Sequence, residues 1–567
     1  MRAEDRERAT VEVAERVVSE RACAAQGGEG PSLEDLILDT VYEEKKRLER
    51  ERPSKDRDRD LALYDEACRR TAAGSEEERK RVLREIVDRF VTEIVGYFDP
   101  RVYDVATRVA PTALALLLNA LSPWRLLREL PALPSFKPNV TIRGETERLR
   151  ALDDKGTIIL TPTHSSNLDS IVIGWVLNRL GLPPFLYGAG LNLFSNPLLS
   201  FFMRNLGAYR VDRKKTAPLY KECLKEYATV SIELGYDNLF FPGGTRSRSG
   251  GVERKLKLGL LGCGLRAYVN NLKRRKEKPG IYVVPATISY ELTLEAETLI
   301  DDYLKEVGKA RYIIEDDESS QIRRVAEFLT GILSLDARIY VTFSRALDPF
   351  GNEVESDGLS YDRRGRPVDT ASYVSKGGRP EHDAQRDAEY TRELGLSIRA
   401  AFHRDNILQS THVVAFTAFT LLTARNQGMD LYRLLRGGGR EDSLPLGDLD
   451  QAVGRAIARI KEMSDRDEVR LDPRLRGLEA DRIIADALWR FGTYHRHTAL
   501  KRVGDRVVSP DRSLLYFYHN RATGYGLERA VLGLSAAEAE AVAGSGGALA
   551  AAAIAAKPQP GLAGAAA

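Results

Sequence analysis

Apolar residues along the chain follow two different rhythms. In Val82–Phe98, "VLREIVDRFVTEIVGYF", they recur every third or fourth position, the spacing of an amphipathic helix packed on one face. From about residue 139 the rhythm shortens. "GTIILTPTH" (Gly156–His164), "NLFFPGGT" (Asn238–Thr245), "GIYVVPATISYE" (Gly280–Glu291) and "ARIYVTFSRALD" (Ala337–Asp348) are brief apolar runs that end in polar turns, with helix-like segments between them. That alternation predicts an α/β core with a mixed or largely parallel sheet, flanked by helical N- and C-terminal regions.

Breaks in composition divide the chain further. Residues 1–135 read as a charged helical region, in which Glu43–Asp60 forms a solvated face or loop, and the prolines at 131, 134 and 138 mark a linker. The α/β core is expected over 136–350. An excursion loop and helices should follow over 351–435, a mixed C-terminal domain over 436–533, and an Ala/Gly-rich tail over 534–567. The apolar runs Val109–Ser122 and His412–Thr423 are shorter than the roughly 18 to 20 residues that cross a bilayer. Segment 109–130 has a second reading, as an interfacial anchor with Trp124 at headgroup depth and Arg125 and Arg128 on the polar face; a buried core helix is the alternative.

Charge and cysteine usage narrow the chemistry. The net charge is +3, so a dedicated nucleic-acid binder, with its marked basic excess, is disfavoured. None of Cys23, Cys68, Cys223 and Cys263 has the CxxC spacing of a zinc site, so free thiols and no metal are expected. His495 and His497, next to Tyr494, read as surface histidines. No phosphate-binding GxxxxGK[ST] loop and no GxSxG elbow occurs.

Two stretches carry candidate chemistry. "THSSNLDS" places His164 at a strand end with Asp169 about one helical turn later. A carboxylate there can hold Nδ1 and leave Nε2 as a base, although a histidine that merely caps the next helix has the same pattern. "FFPGGTRSRSGG" (Phe240–Gly251) reads as an anion loop. Its glycines, among them Gly244, let backbone N–H groups approach closely, Thr245 and Ser247 add donors, and Arg246 suits a bidentate phosphate contact. Arg213 offers a second cation, whereas Arg248, Arg254 and Lys255 read equally well as a basic rim.

In order along the chain stand the His164–Asp169 box, "LGAYRVDRK" (Leu206–Lys214), the Pro-Gly-Gly-Thr-Arg-Ser loop and "VPATISYE" (Val284–Glu291). Together they resemble the four blocks of the glycerolipid acyltransferase superfamily. The doubled "RSRSG", with "QSTHVVAFTAFTLL" (Gln409–Leu422) and "LLYFYHNRATGYGLE" (Leu514–Glu528), favours its glycerol-3-phosphate acyltransferase branch. The resemblance implies His164 as general base, Asp169 as its orienter, Arg213, Gly244, Thr245, Arg246, Ser247 and Lys257 around the acceptor phosphate, and Ser166 and Pro285 at recurrent block positions. It implies acyl transfer from acyl-CoA or acyl carrier protein to glycerol-3-phosphate without a further cofactor, at the cytoplasmic face of the inner membrane as a peripheral protein. Acylation of lysophosphatidate or dihydroxyacetone phosphate is the near alternative.

Two departures from that pattern stand out. Ser165 follows the histidine where the branch often has arginine, and Gly243 replaces the glutamate of the third block. The missing glutamate leaves three readings: Glu253 or Glu291 supplies its role, the acceptor is unusual, or the site is a silent lipid- or thioester-binding remnant.

Overall fold

The computed structural model describes residues 1–534 apart from 29, 52, 100, 103–139, 191–206, 308–337, 438–441 and 494. The expected interfacial segment 109–130 and nearly all of the tail lie outside the described residues. Helices α1 (Ala3–Gly27), α2 (Leu33–Leu48), α3 (Lys55–Ala73) and α4 (Glu76–Ile94) form the N-terminal region. Ser32, Ser54 and Ser75 cap the last three of these by accepting from the backbone N–H three residues on, which satisfies donors that the helix cannot. The apolar stripe of α4 is buried from Val82 to Ile94.

The core sheet contains β1 (Val140–Gly144), β2 (Gly156–Pro162), β3 (Leu186–Gly190), β4 (Ala208–Val211), β5 (Asn238–Leu239), β6 (Gly280–Tyr290), β7 (Ile339–Phe343) and β8 (Ala346–Leu347). Strands β6, β2, β5, β3 and β4 lie side by side in that order, all parallel. β7 and β8 then pair antiparallel with the two halves of β6. Pro285, which has no N–H to give, falls where β6 changes partner, between Val283 opposite Leu347 and Ala286 opposite Phe343.

Alternation along β2 shows how both faces are filled. Ile158 and Leu160 join a core with the helix Asp169–Arg179 (α5) and the C-terminal helices. Ile159 points the other way, towards Leu261–Lys273 (α6) and Ala384–Arg404 (α7). A third cluster joins α1, α2 and α4 to the helix Pro218–Glu233 and to Leu186 and Tyr209 at the sheet edge.

Two expectations need correction. The stretch 351–384 is not a plain loop: β9 (Glu353–Val354), β10 (Ser360–Tyr361) and β11 (Pro367–Val368) extend the sheet as hairpins from β8. Strands of two residues are too short to show a period in sequence. Nor is 436–533 a separate unit, because Leu449, Ile460, Phe491 and Tyr518 share one hydrophobic core with Val140, Leu160 and Val284. The helix Ser410–Arg425 ties them together and is buried on nearly all sides. Among the described residues no helix is long and apolar enough to cross a membrane.

Candidate active site

Because β2, β4, β5 and β6 run parallel, the loops at their C-terminal ends leave the sheet on one edge, where α/β folds gather their chemistry. His164 follows β2, Arg213 follows β4, the glycine–arginine loop follows β5, and Glu291 and Glu295 follow β6. β2 lies between β5 and β6, so His164 stands between the last two loops.

Every polar handle of His164 except one is held. Its ring Nδ1 lies 2.8 Å from Asp169 Oδ2, its backbone N–H donates to Glu253 Oε1 at 2.5 Å, and its carbonyl accepts from the backbone N–H of Ser247 at 2.7 Å. The ring stacks on Phe241, with centroids 4.1 Å apart. Nε2 has no hydrogen-bond partner among the described residues, and the side chain keeps 14% of its exposure. The nitrogen left over is the one that faces outward chemistry.

Asp169 opens α5 and is fully buried. Besides the imidazole it accepts from the backbone N–H groups of Ser165 at 2.7 Å and Ser166 at 2.9 Å and from the Tyr290 hydroxyl at 2.7 Å. Charge-assisted bonds of this kind are shorter and stronger than neutral ones, and together they fix the orientation of the carboxylate. Burial and the neighbouring Asp169 together push the Tyr290 phenol well above its ordinary value, so it stays a donor.

The Ser166 hydroxyl donates to Glu295 Oε2 at 2.8 Å, and Glu295 Oε1 accepts from the backbone N–H of Asn167 at 3.1 Å and lies 3.7 Å from Arg246. Glu295 therefore couples the histidine turn to the glycine–arginine loop. Neither Glu295 nor Tyr290 was legible as a site residue. The available signal was only their position at the end of the strand beside β2.

Around the loop, Gly244 has φ +74°, a left-handed conformation that favours glycine, and the Lys257 side chain lies over it, 2.5 Å from where a Cβ would stand. The Ser247 hydroxyl donates to Gly251 O at 2.6 Å, which commits its proton inside the loop; Thr245 and Arg246 lie half-buried in the same turn. Arg213 is exposed. Crowding by the surrounding chain, and then the like charges of Arg246 and Arg248, draw its guanidinium below its ordinary value. Arg213, Arg246 and Arg248 thus form one cationic cluster. Arg248 meets the exposed Glu306 at 2.6 Å, and Arg213 has no acidic partner among the described residues.

The N-terminal helices brace that cluster. Lys215, two residues after Arg213, is buried between Glu44 at 2.9 Å and Glu93 at 2.8 Å, and the Thr216 hydroxyl donates to Glu43 at 2.6 Å. The structure therefore brings His164, Asp169, Ser166, Gly244, Thr245, Arg246, Ser247, Lys257 and Arg213 to one sheet edge. Pro285 lies apart, inside β6. His495, read as a surface residue, is half-buried with Nε2 2.7 Å from the Tyr518 hydroxyl.

Residues 139–289 match the Acyltransferase family model, a span that includes the histidine box and the glycine–arginine loop. Over 157 residues, 28% of this chain, it is 32% identical to a glycerol-3-phosphate acyltransferase of Ectopseudomonas mendocina, of which the match covers 18%. Over 190 residues, 31% of this chain, it is 30% identical to a glycerol-3-phosphate acyltransferase of Pseudomonas syringae pv. tomato, of which the match covers 22%. The chain thus spans about a fifth of the length of the curated relatives it matches. Among solved structures it is similar to the 1-acyl-sn-glycerophosphate acyltransferase of Thermotoga maritima, at 16% identity and a TM-score of 0.22, over 43% of this chain and 72% of that one.

Proposed function

We propose that the protein transfers a fatty acyl group from acyl-CoA or acyl carrier protein to the hydroxyl of glycerol-3-phosphate. The observation that carries this reading is the joining of the two half-sites: the backbone bond from Ser247 to His164 fixes the dyad against the loop that presents Arg246. Acylation of lysophosphatidate or dihydroxyacetone phosphate differs only in the rest of the acceptor. The relatives named for glycerol-3-phosphate favour that substrate.

In this mechanism His164 Nε2 takes the proton from the acceptor hydroxyl as its oxygen attacks the thioester carbonyl. Asp169 holds the proton on Nδ1 and stabilises the imidazolium. When the tetrahedral species collapses, the carbon–sulfur bond breaks and the imidazolium returns the proton to the departing thiolate. Arg213 and Arg246 bind the acceptor phosphate and align its hydroxyl, with Arg248 at the rim of the same cluster. No cofactor beyond the thioester enters the balance. A lipid product places the protein at a membrane surface as a peripheral protein, on the cytoplasmic side where both substrates are water-soluble.

The test is acyl transfer from palmitoyl-CoA to labelled glycerol-3-phosphate, assayed in membrane-bound and soluble fractions with His164→Ala alongside. The expected result is turnover concentrated in the membrane fraction, with kcat falling about 100-fold or more in a variant of unchanged melting temperature. Undiminished turnover in His164→Ala would remove the base from the mechanism. Absence of turnover with all three acceptors would favour the silent binding homologue.

A further inference from the structure

Glu253 is buried, at 8% exposure, although it lies in a loop that carries exposed Arg254, Lys255 and Lys257. The loop folds back on itself: the Lys257 backbone N–H donates to Pro242 O at 2.7 Å, which returns residues 252–257 beneath the Pro242–Gly244 turn. An ideal Cβ on Gly243 would stand 3.1 Å from Glu253 Cγ and 3.7 Å from Glu253 Oε1. A side chain at 243 and the side chain of Glu253 therefore compete for one space. Glu253 Oε1 accepts the backbone N–H of His164, whereas Oε2 is buried and has no hydrogen-bond partner among the described residues.

Glu291, the other acid able to serve this turn on sequence grounds, is committed elsewhere. It meets Arg474 at 2.9 Å and Arg490 at 3.0 Å and accepts the backbone N–H of Arg338 at 3.0 Å.

We propose that Glu253 is a positioning residue for the proposed base His164, and that Gly243 and Glu253 are an exchangeable pair in which the carboxylate at 253 fills the space a residue at 243 would take. The inference rests on the acyl-transfer reading for its kinetic consequences and on geometry alone for its effect on His164. By holding the backbone N–H of His164, Glu253 fixes the ring on Phe241 and against Asp169 from a third side. Burial, reinforced by the negative charge of Asp169, raises its carboxyl to about 7, offset in part by the His164 N–H and the nearby Arg521.

The experiment compares Glu253→Ala, Glu253→Gln and the double variant Glu253→Ala/Gly243→Glu in the full chain. With turnover in the wild type, Glu253→Ala should lower kcat about 100-fold, as a misplaced catalytic group does, with KM for the acceptor unchanged. The double variant should regain most of that loss. Full activity in Glu253→Ala, or a double variant that melts like wild type and is no faster than the single one, would overturn the proposal. The His164 imidazole midpoint, read by NMR from the resonance missing in His164→Ala, tests it without turnover. Loosening the ring from Asp169 in Glu253→Ala should lower that midpoint, whereas Glu253→Gln, whose amide oxygen can still accept the His164 N–H, should keep it; an unmoved midpoint in Glu253→Ala would overturn the proposal. Absent wild-type turnover with a shifted midpoint would count against the acyl-transfer reading alone.

Discussion

Two arginine-rich regions lie in this molecule, and their difference is charge balance. Behind the sheet edge, Arg474 and Arg490 converge on Glu291, Asp472 and Asp486 at 2.7 to 3.0 Å, with the two innermost acids fully buried. At the edge itself, Arg213, Arg246 and Arg248 crowd one another; among the described residues Glu295 lies 3.7 Å from Arg246 and the exposed Glu306 lies 2.6 Å from Arg248. The first cluster satisfies itself and holds the C-terminal helices to β6 and β7. The second brings three like charges close together, and such crowding at a loop built to approach an anion suits the phosphate of the proposed acceptor. Identical side chains thus serve architecture in one place and, on the reading proposed above, recognition in the other.

The largest effect should come from breaking the balanced cluster. Arg490→Met leaves buried Glu291 with one fewer partner, and removing one member of a buried pair costs about 3 to 5 kcal/mol. Chemical unfolding should show this loss, while activity per folded molecule holds. Burial raises the Glu291 carboxyl to about 7 in spite of its arginines. At lower pH the acid is protonated in the fold and needs its partner less, so the penalty should grow as pH rises through about 7. A penalty independent of pH would show that Glu291 carries no charge there.

Removing charge from the unbalanced cluster should do the reverse. Arg213→Ala takes away a cation with no acidic partner among the described residues, so the fold loses little. A hydrogen bond to a charged group contributes about 2 kcal/mol, which corresponds to roughly a 30-fold rise in KM for the phosphorylated acceptor. Steady-state kinetics with acceptor varied would measure it. An unchanged KM would place the phosphate elsewhere.

Much of the edge site was legible in the sequence. His164 and Asp169 share one turn, so their pairing needed only the strand ending at Pro162. The loop bearing Arg246 was recognisable because it follows a short apolar strand, whereas Arg213 was found through the block it shares with the resembled family; parallel strands bring both loops to one edge. What stayed hidden depends on register and on distant chain. Tyr290 reaches Asp169 only because β6 runs in step with β2, Pro162 opposite Ala286. Arg521, which donates to Ile288 O at 2.6 Å and lies 3.4 Å from the Ser165 hydroxyl, comes from 356 residues further along the chain. The balanced arginine cluster was illegible for the same reason, since Glu291 and Arg474 stand 183 residues apart.

Arg248 tests where the boundary between the two kinds of arginine falls. It belongs to the cationic cluster by position, yet its guanidinium already meets Glu306 on an exposed surface, with 40% of the side chain accessible. Exposed pairs contribute less than about 1 kcal/mol, because solvent screens them and ordering two long side chains costs entropy. Arg248→Ala should therefore raise KM for the acceptor by less than about fivefold and leave stability unmoved. A rise as large as that of Arg213→Ala would mean that Arg248 abandons Glu306 when substrate binds. The phosphate would then be held by three arginines, and Glu306 would serve as the counter-charge that keeps the third in place until the phosphate arrives.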